Sequence, residues 1–111
     1  MMLAHAERVR YIGNMRSEVI LLPSAEGDLG YYAKHQQTII LDALALLLET
    51  DPDVETRRRK RLREDPLAPW ELRIGDFRAF YEVSGSQQVR VLAIGHKVHN
   101  DLFIRGERVL I

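Results

Sequence analysis

The chain has 111 residues, 46% of them hydrophobic and 29% charged, with sixteen Lys plus Arg balanced by sixteen Asp plus Glu, and it contains no cysteine. That length fits one domain around a single core, and the missing thiols exclude disulfides, thiolate metal centres and a cysteine nucleophile. The longest apolar run, 38–48, falls short of the roughly 20 residues that cross a bilayer and is interrupted by Asp42, so no membrane span is expected.

Residues 1–16 have neither helical nor strand periodicity, and Gly13-Asn14 is a turn signal. Glu7, Arg8, Arg10 and Arg16 break up any apolar core of a signal peptide, which points to a cytoplasmic protein. The segment reads as a leader, with Met15 as an alternative natural start, followed by a single domain over 17–111. An extended stretch from Ser17 to Leu22 opens that domain. Pro23 ends it, and Ser24 fits the N-cap of a short helix reaching about Lys34.

Gln36 to Glu49 is a stronger helix with little polar face. Ile40, Leu44, Leu47 and Leu48 form its stripe, while Ile39, Leu41 and Leu46 point elsewhere. A small chain has few layers in which to bury such a helix, so its stripe is expected to meet a partner protein or a second copy of the chain.

Pro52 stops the helix. Beyond it the balanced net charge proves uneven: residues 1–50 carry four basic against six acidic side chains, and residues 51–111 carry twelve against ten. Six of those twelve, Arg57, Arg58, Arg59, Lys60, Arg61 and Arg63, form one run with helix-compatible spacing. Such a run is a solvated surface or a phosphate-contacting patch.

Pro66 and Pro69 lead into three strands. Trp70–Ile74 and Phe77–Val83 both alternate, with Gly75-Asp76 as the hairpin turn, and Val89–Ile94 is a nearly continuous apolar run. The order β-α-α-β-β-β predicts an α+β fold, a mostly antiparallel sheet with two helices on one face. Arg73 and Arg78 flank the hairpin on the face opposite Leu72 and Ile74, where two guanidinium forks suit a phosphate.

The stretch Trp70-Glu-Leu-Arg-Ile-Gly-Asp-Phe-Arg-Ala-Phe-Tyr-Glu-Val83, followed by Val89-Arg-Val-Leu-Ala-Ile-Gly-His-Lys97, resembles the signature of the RelE/ParE superfamily of type II toxin–antitoxin toxins. The likeness extends back through the basic run and the helices to Ser17. It implies a cytoplasmic toxin held inactive by an antitoxin. In the RelE branch it also implies a ribosome-dependent nuclease that cuts mRNA without a metal or cofactor, using the RNA's own 2′-OH. On that resemblance Arg78, Arg73 and Lys97 match basic catalytic positions, Phe103 matches a C-terminal aromatic that contacts RNA, and His96 and His99 stand where some relatives place acid–base histidines. The basic run would then bind RNA.

Two departures weigh on this reading: Glu71 occupies a position often basic in the family, and Phe103 replaces a frequent Tyr. A ParE-like inhibitor of DNA gyrase is the alternative, and a catalytically silent antitoxin-binding relative a third. His96-x-x-His99 with Asp101 lacks a further clear metal ligand, so no metal is expected. No Walker, Rossmann, HExxH, GxSxG or EF-hand pattern is present.

Overall fold

The structure, a computed structural model, describes residues 10–12, 17–48, 51–63, 67–85 and 88–110. Most of the expected leader, 1–9 and 13–16, lies outside the described residues. Its remaining part forms β1 (Arg10–Ile12), antiparallel to β2 (Glu18–Leu21), so that part of the leader belongs to the sheet.

Helix α1 (Pro23–Gly30) begins on its proline, whose missing N–H costs nothing in a first turn. Ser24 is therefore inside the helix rather than its N-cap. Its hydroxyl donates instead to the Leu92 carbonyl at 2.8 Å. Helix α2 (Lys34–Leu48) starts two residues before Gln36. Ile40, Leu44 and Leu48 recur every fourth residue and are fully buried against the sheet, with Leu47 packed at the edge of the same core. This corrects the assignment of that stripe to a partner surface, because those three side chains are the chain's own core. The sheet absorbs one stripe of α2 and leaves Ile39 and Leu46 in solvent.

The basic run also departs from expectation. Arg59–Arg61 form strand β3, antiparallel to β4 (Trp70–Ile74), rather than a helix end. Long-range pairing decides the conformation where local spacing was ambiguous. The Arg59 side chain donates to the Leu47 carbonyl at 2.7 Å and the Val54 carbonyl at 3.0 Å, fastening the new strand to the end of α2.

Strands β5 (Phe77–Ser84), β6 (Gln88–Val98), β7 (Asp101–Ile104) and β8 (Glu107–Val109) follow. β6 runs past Ile94 to include Gly95-His96-Lys97. Gly95 permits this, since a side chain there would run into the Phe103 carbonyl of β7. Strand order is β1-β2-β6-β5-β4-β3, with β7 paired to β6 and β8 to β7. Among the described residues only the β2–β6 pairing is parallel. The expected α+β architecture, a mostly antiparallel sheet with two helices, is the one found.

Because β5 takes one edge of β6 along nearly its whole length, β2 and β7 share the other edge and leave a gap between them. Helix α1 fills it. The Leu22 N–H donates to the Val91 carbonyl at 3.0 Å, and the Ile94 N–H donates to the buried Asp28 carboxylate at 3.0 Å. Arg105, from the β7–β8 turn, donates to the other Asp28 oxygen at 2.7 Å and to the Ser24 carbonyl at 3.0 Å. A bulge beside Phe80 and Tyr81 keeps the two faces of the sheet apolar in register. The helix face holds the main core, and the other carries a smaller cluster built on Ala68, Phe80, Ala93 and Leu102.

Candidate functional site

Residues directly opposite each other in paired strands share a sheet face, which sorts the candidate residues into two groups. Lys60 pairs with Glu71, Arg73 with Arg78, Arg78 with Gly95, and Lys97 with Leu102. Lys60, Glu71, Arg73, Arg78 and Lys97 therefore lie on the face away from the helices. His96 pairs with Phe77 on one side and Phe103 on the other, and lies on the helix face. His96 and Arg78, both candidate catalytic residues, are therefore on opposite faces.

On the open face, Glu71 is the centre. It is buried, with Arg73 Nε 3.3 Å from one carboxylate oxygen and Arg78 Nε 3.8 Å from the other. Arg78 folds back over its own hairpin, donating to the Gly75 carbonyl at 2.8 Å and the Phe77 carbonyl at 2.9 Å. Its Nε is buried without a hydrogen bond. Burial lowers the pKa of this guanidinium, Glu71 opposes that pull, and the group remains a cation. Arg73 keeps more freedom, with 44% of its side chain exposed.

On the helix face, His96 forms part of an aromatic cluster. The Tyr32 hydroxyl donates to its Nδ1 at 2.7 Å when the imidazole carries its proton on Nε2. Phe103 stacks on the same ring with centroids 5.7 Å apart, and Tyr32 meets Phe77 edge-on at 5.2 Å. Burial, with smaller contributions from Tyr31 and Asp28, pushes the Tyr32 hydroxyl up to about 12. It is therefore a permanent proton carrier at neutral pH. His96 and Tyr32 line an open cleft of about 740 Å³ between the α1–α2 junction and the ends of β4, β5 and β6. Tyr31, Ile39, Ile74 and Val98 give it apolar walls, and Lys97 borders its rim.

His99 is separate from both groups. It sits exposed in the β6–β7 turn with a positive φ of 59°. Of the basic run, Arg57, Arg58, Lys60, Arg61 and Arg63 are exposed, but Arg61 lies over the Trp70 ring at 5.6 Å and Arg59 is committed to the carbonyls of Leu47 and Val54. Phe103 lies on the helix face, stacked on His96. Among the described residues no group of three or more His, Asp or Glu is placed to hold a metal ion, and no helix is long and apolar enough to cross a membrane.

Sequence reasoning did not single out Tyr32, Asp28 or Arg105. Tyr32 touches His96 from 64 positions away and Asp28 meets Arg105 from 77, separations that no local motif encodes.

Comparison with known proteins bears on this arrangement. Residues 19–100 match the family model described as the ParE toxin of type II toxin–antitoxin system, parDE. Among solved structures, a chain from the crystal structure of the toxin–antitoxin complex RelBE2 of Mycobacterium tuberculosis is similar with a TM-score of 0.61. It is 21% identical, and the match covers 75% of this chain and all of that one, a likeness of fold. No curated protein sequence matches the chain.

Proposed function

The chain belongs to the ParE toxin family of type II toxin–antitoxin systems, within the RelE/ParE superfamily, and from that premise we propose that it acts by binding a protein target rather than by cutting mRNA. The observation that carries this reading is Glu71. Cutting RNA with its own 2′-OH requires cations over the scissile phosphate and an acid–base group beside them. Here a buried carboxylate stands between Arg73 and Arg78, so a phosphate brought to them meets a negative charge already paired with both. The imidazole of His96 is on the other face and hydrogen-bonded to Tyr32.

Binding needs a surface instead, and the cleft beside His96 supplies one. Its aromatic and aliphatic walls, with Tyr31 and Ile39 standing out of it, offer the apolar centre that protein interfaces use. The resemblance to ParE-like toxins names cytoplasmic DNA gyrase as the target and a cognate antitoxin as the restraining partner. The test is induction in cells without the antitoxin. The expected outcome is growth arrest with accumulating DNA damage and intact translation, undiminished in Arg73→Ala, which lies on the face away from the cleft. Arrest accompanied by cut mRNA, and lost in that variant, would return the protein to the ribonuclease branch.

A further inference from the structure

We propose that the β3 edge of the sheet docks the phosphate backbone of a double-helical nucleic acid, through Arg57 and Lys60. This goes beyond the protein-binding reading and does not depend on it.

The edge is closed to a peptide strand. Three outward backbone groups of β3 are already occupied: the Thr56 N–H donates to the Arg59 carbonyl at 2.9 Å, the Arg59 N–H to the Thr56 hydroxyl at 3.1 Å, and the Arg61 N–H to the Glu55 carboxylate at 3.0 Å. Strand addition, the usual way a protein segment uses a sheet edge, would have to break these bonds. What the edge offers is charge.

That charge is sorted. Arg59 and Arg61 turn to the helix face, where carbonyls and the Trp70 ring engage them. Arg57, Lys60 and Arg73 remain on the open side, lining with Glu55 and Thr56 a shallow depression of about 390 Å³. The ion pairs among the described residues involve Arg73, Arg78, Arg90, Arg105 and Arg108, and none engages Arg57 or Lys60. Glu55 is the one acid lining the depression, and its carboxylate is held by the strand backbone. Asp53 acts on Tyr81, on the helix face.

The patch also lacks what a single strand requires. Bases of unpaired nucleic acid bind by stacking on exposed aromatic rings. Tyr31 is the exposed aromatic among the described residues, and it lies at the cleft on the other side. Cations without stacking rings suit the backbone of a duplex, where binding is sequence-independent and salt-sensitive.

The experiment is fluorescence anisotropy of the full chain with labelled duplex DNA, duplex RNA and a single strand of equal length. Two phosphate contacts predict that affinity for a duplex falls about 12-fold between about 50 and 200 mM salt. The double variant Arg57→Ala/Lys60→Ala should abolish that dependence. Its unchanged melting temperature would show that the fold is intact. Whichever duplex binds tighter identifies the nucleic acid. The proposal is overturned by salt-independent binding, by a salt slope that the double variant leaves intact, or by preference for the single strand. It is equally overturned if a polyglutamate peptide binds the edge while both duplexes fail to.

Discussion

The two faces of this sheet treat polar groups differently. On the helix face, polar groups of the core are fastened to named partners: Tyr81 to the Pro52 carbonyl, Tyr32 to His96, and Asp28 to the Ile94 N–H and Arg105. On the open face, one carboxylate is shared by two arginines, and other cations stand in solvent. The difference teaches that chemistry here is sorted by strand alternation rather than by nearness in sequence. His96 and Lys97 are adjacent residues, yet they lie on different faces.

The sharpest way to break the comparison is through the core itself. Leu44→Ala should cost about 3 kcal/mol in urea unfolding, since the side chain is fully buried. Leu46→Ala, on the same helix but 73% exposed, should stay within about 0.5 kcal/mol. Equal losses at both would mean that α2 is buried on two sides.

Next in size is Asp28→Ala, which strands the Ile94 N–H and removes the partner of Arg105. A loss of about 2 kcal/mol is expected, with Asp28→Asn milder because one acceptor survives. If the two variants melt alike, the carboxylate is not the pin between α1 and β6.

Tyr32→Phe tests the helix-face side of the cleft. Loss of its hydrogen bond to His96 should cost about 1 kcal/mol by chemical denaturation, and a neutral result would detach His96 from the core.

A pH dependence follows from the same hydroxyl. The Tyr32 hydroxyl is held up to about 12 in the fold, against an ordinary value of about 10 in the unfolded chain, so the native state keeps more protons between those limits. Its contribution is complete below about pH 10 and is lost as pH rises toward about 12. Melting temperatures across that range should fall less steeply in Tyr32→Phe. Tyr81, also raised by burial, supplies the slope that remains. Identical slopes in both proteins would contradict the assignment.

Much of this architecture was legible in the sequence wherever a local pattern and the tertiary fold agree. Alternation in Trp70–Ile74 and Phe77–Ser84, with a glycine turn between them, gives the hairpin directly. The placement of Arg73 opposite Arg78 follows from the same count. Alternation was silent about β3, where a run of like charges has no apolar period, and about β7 and β8, whose pairing depends on Gly95 admitting a neighbouring backbone. The α2 stripe was correctly located and wrongly assigned. Periodicity shows which residues share a face, while the sheet decides which face is covered.

The candidate site was legible as a set of residues and not as a site. Glu71 stood out as a departure from the family pattern, but its burial between two arginines depends on the register of three strands. Once that register is known, the acid is the most consequential residue on the open face.

The central claim, that this toxin works by binding rather than by cutting, is tested most directly in a plasmid supercoiling reaction with purified gyrase and the purified chain. The predicted result is inhibition of supercoiling that Arg73→Ala, away from the cleft, leaves in place. Supercoiling at full rate, from protein that arrests growth in cells, would contradict it.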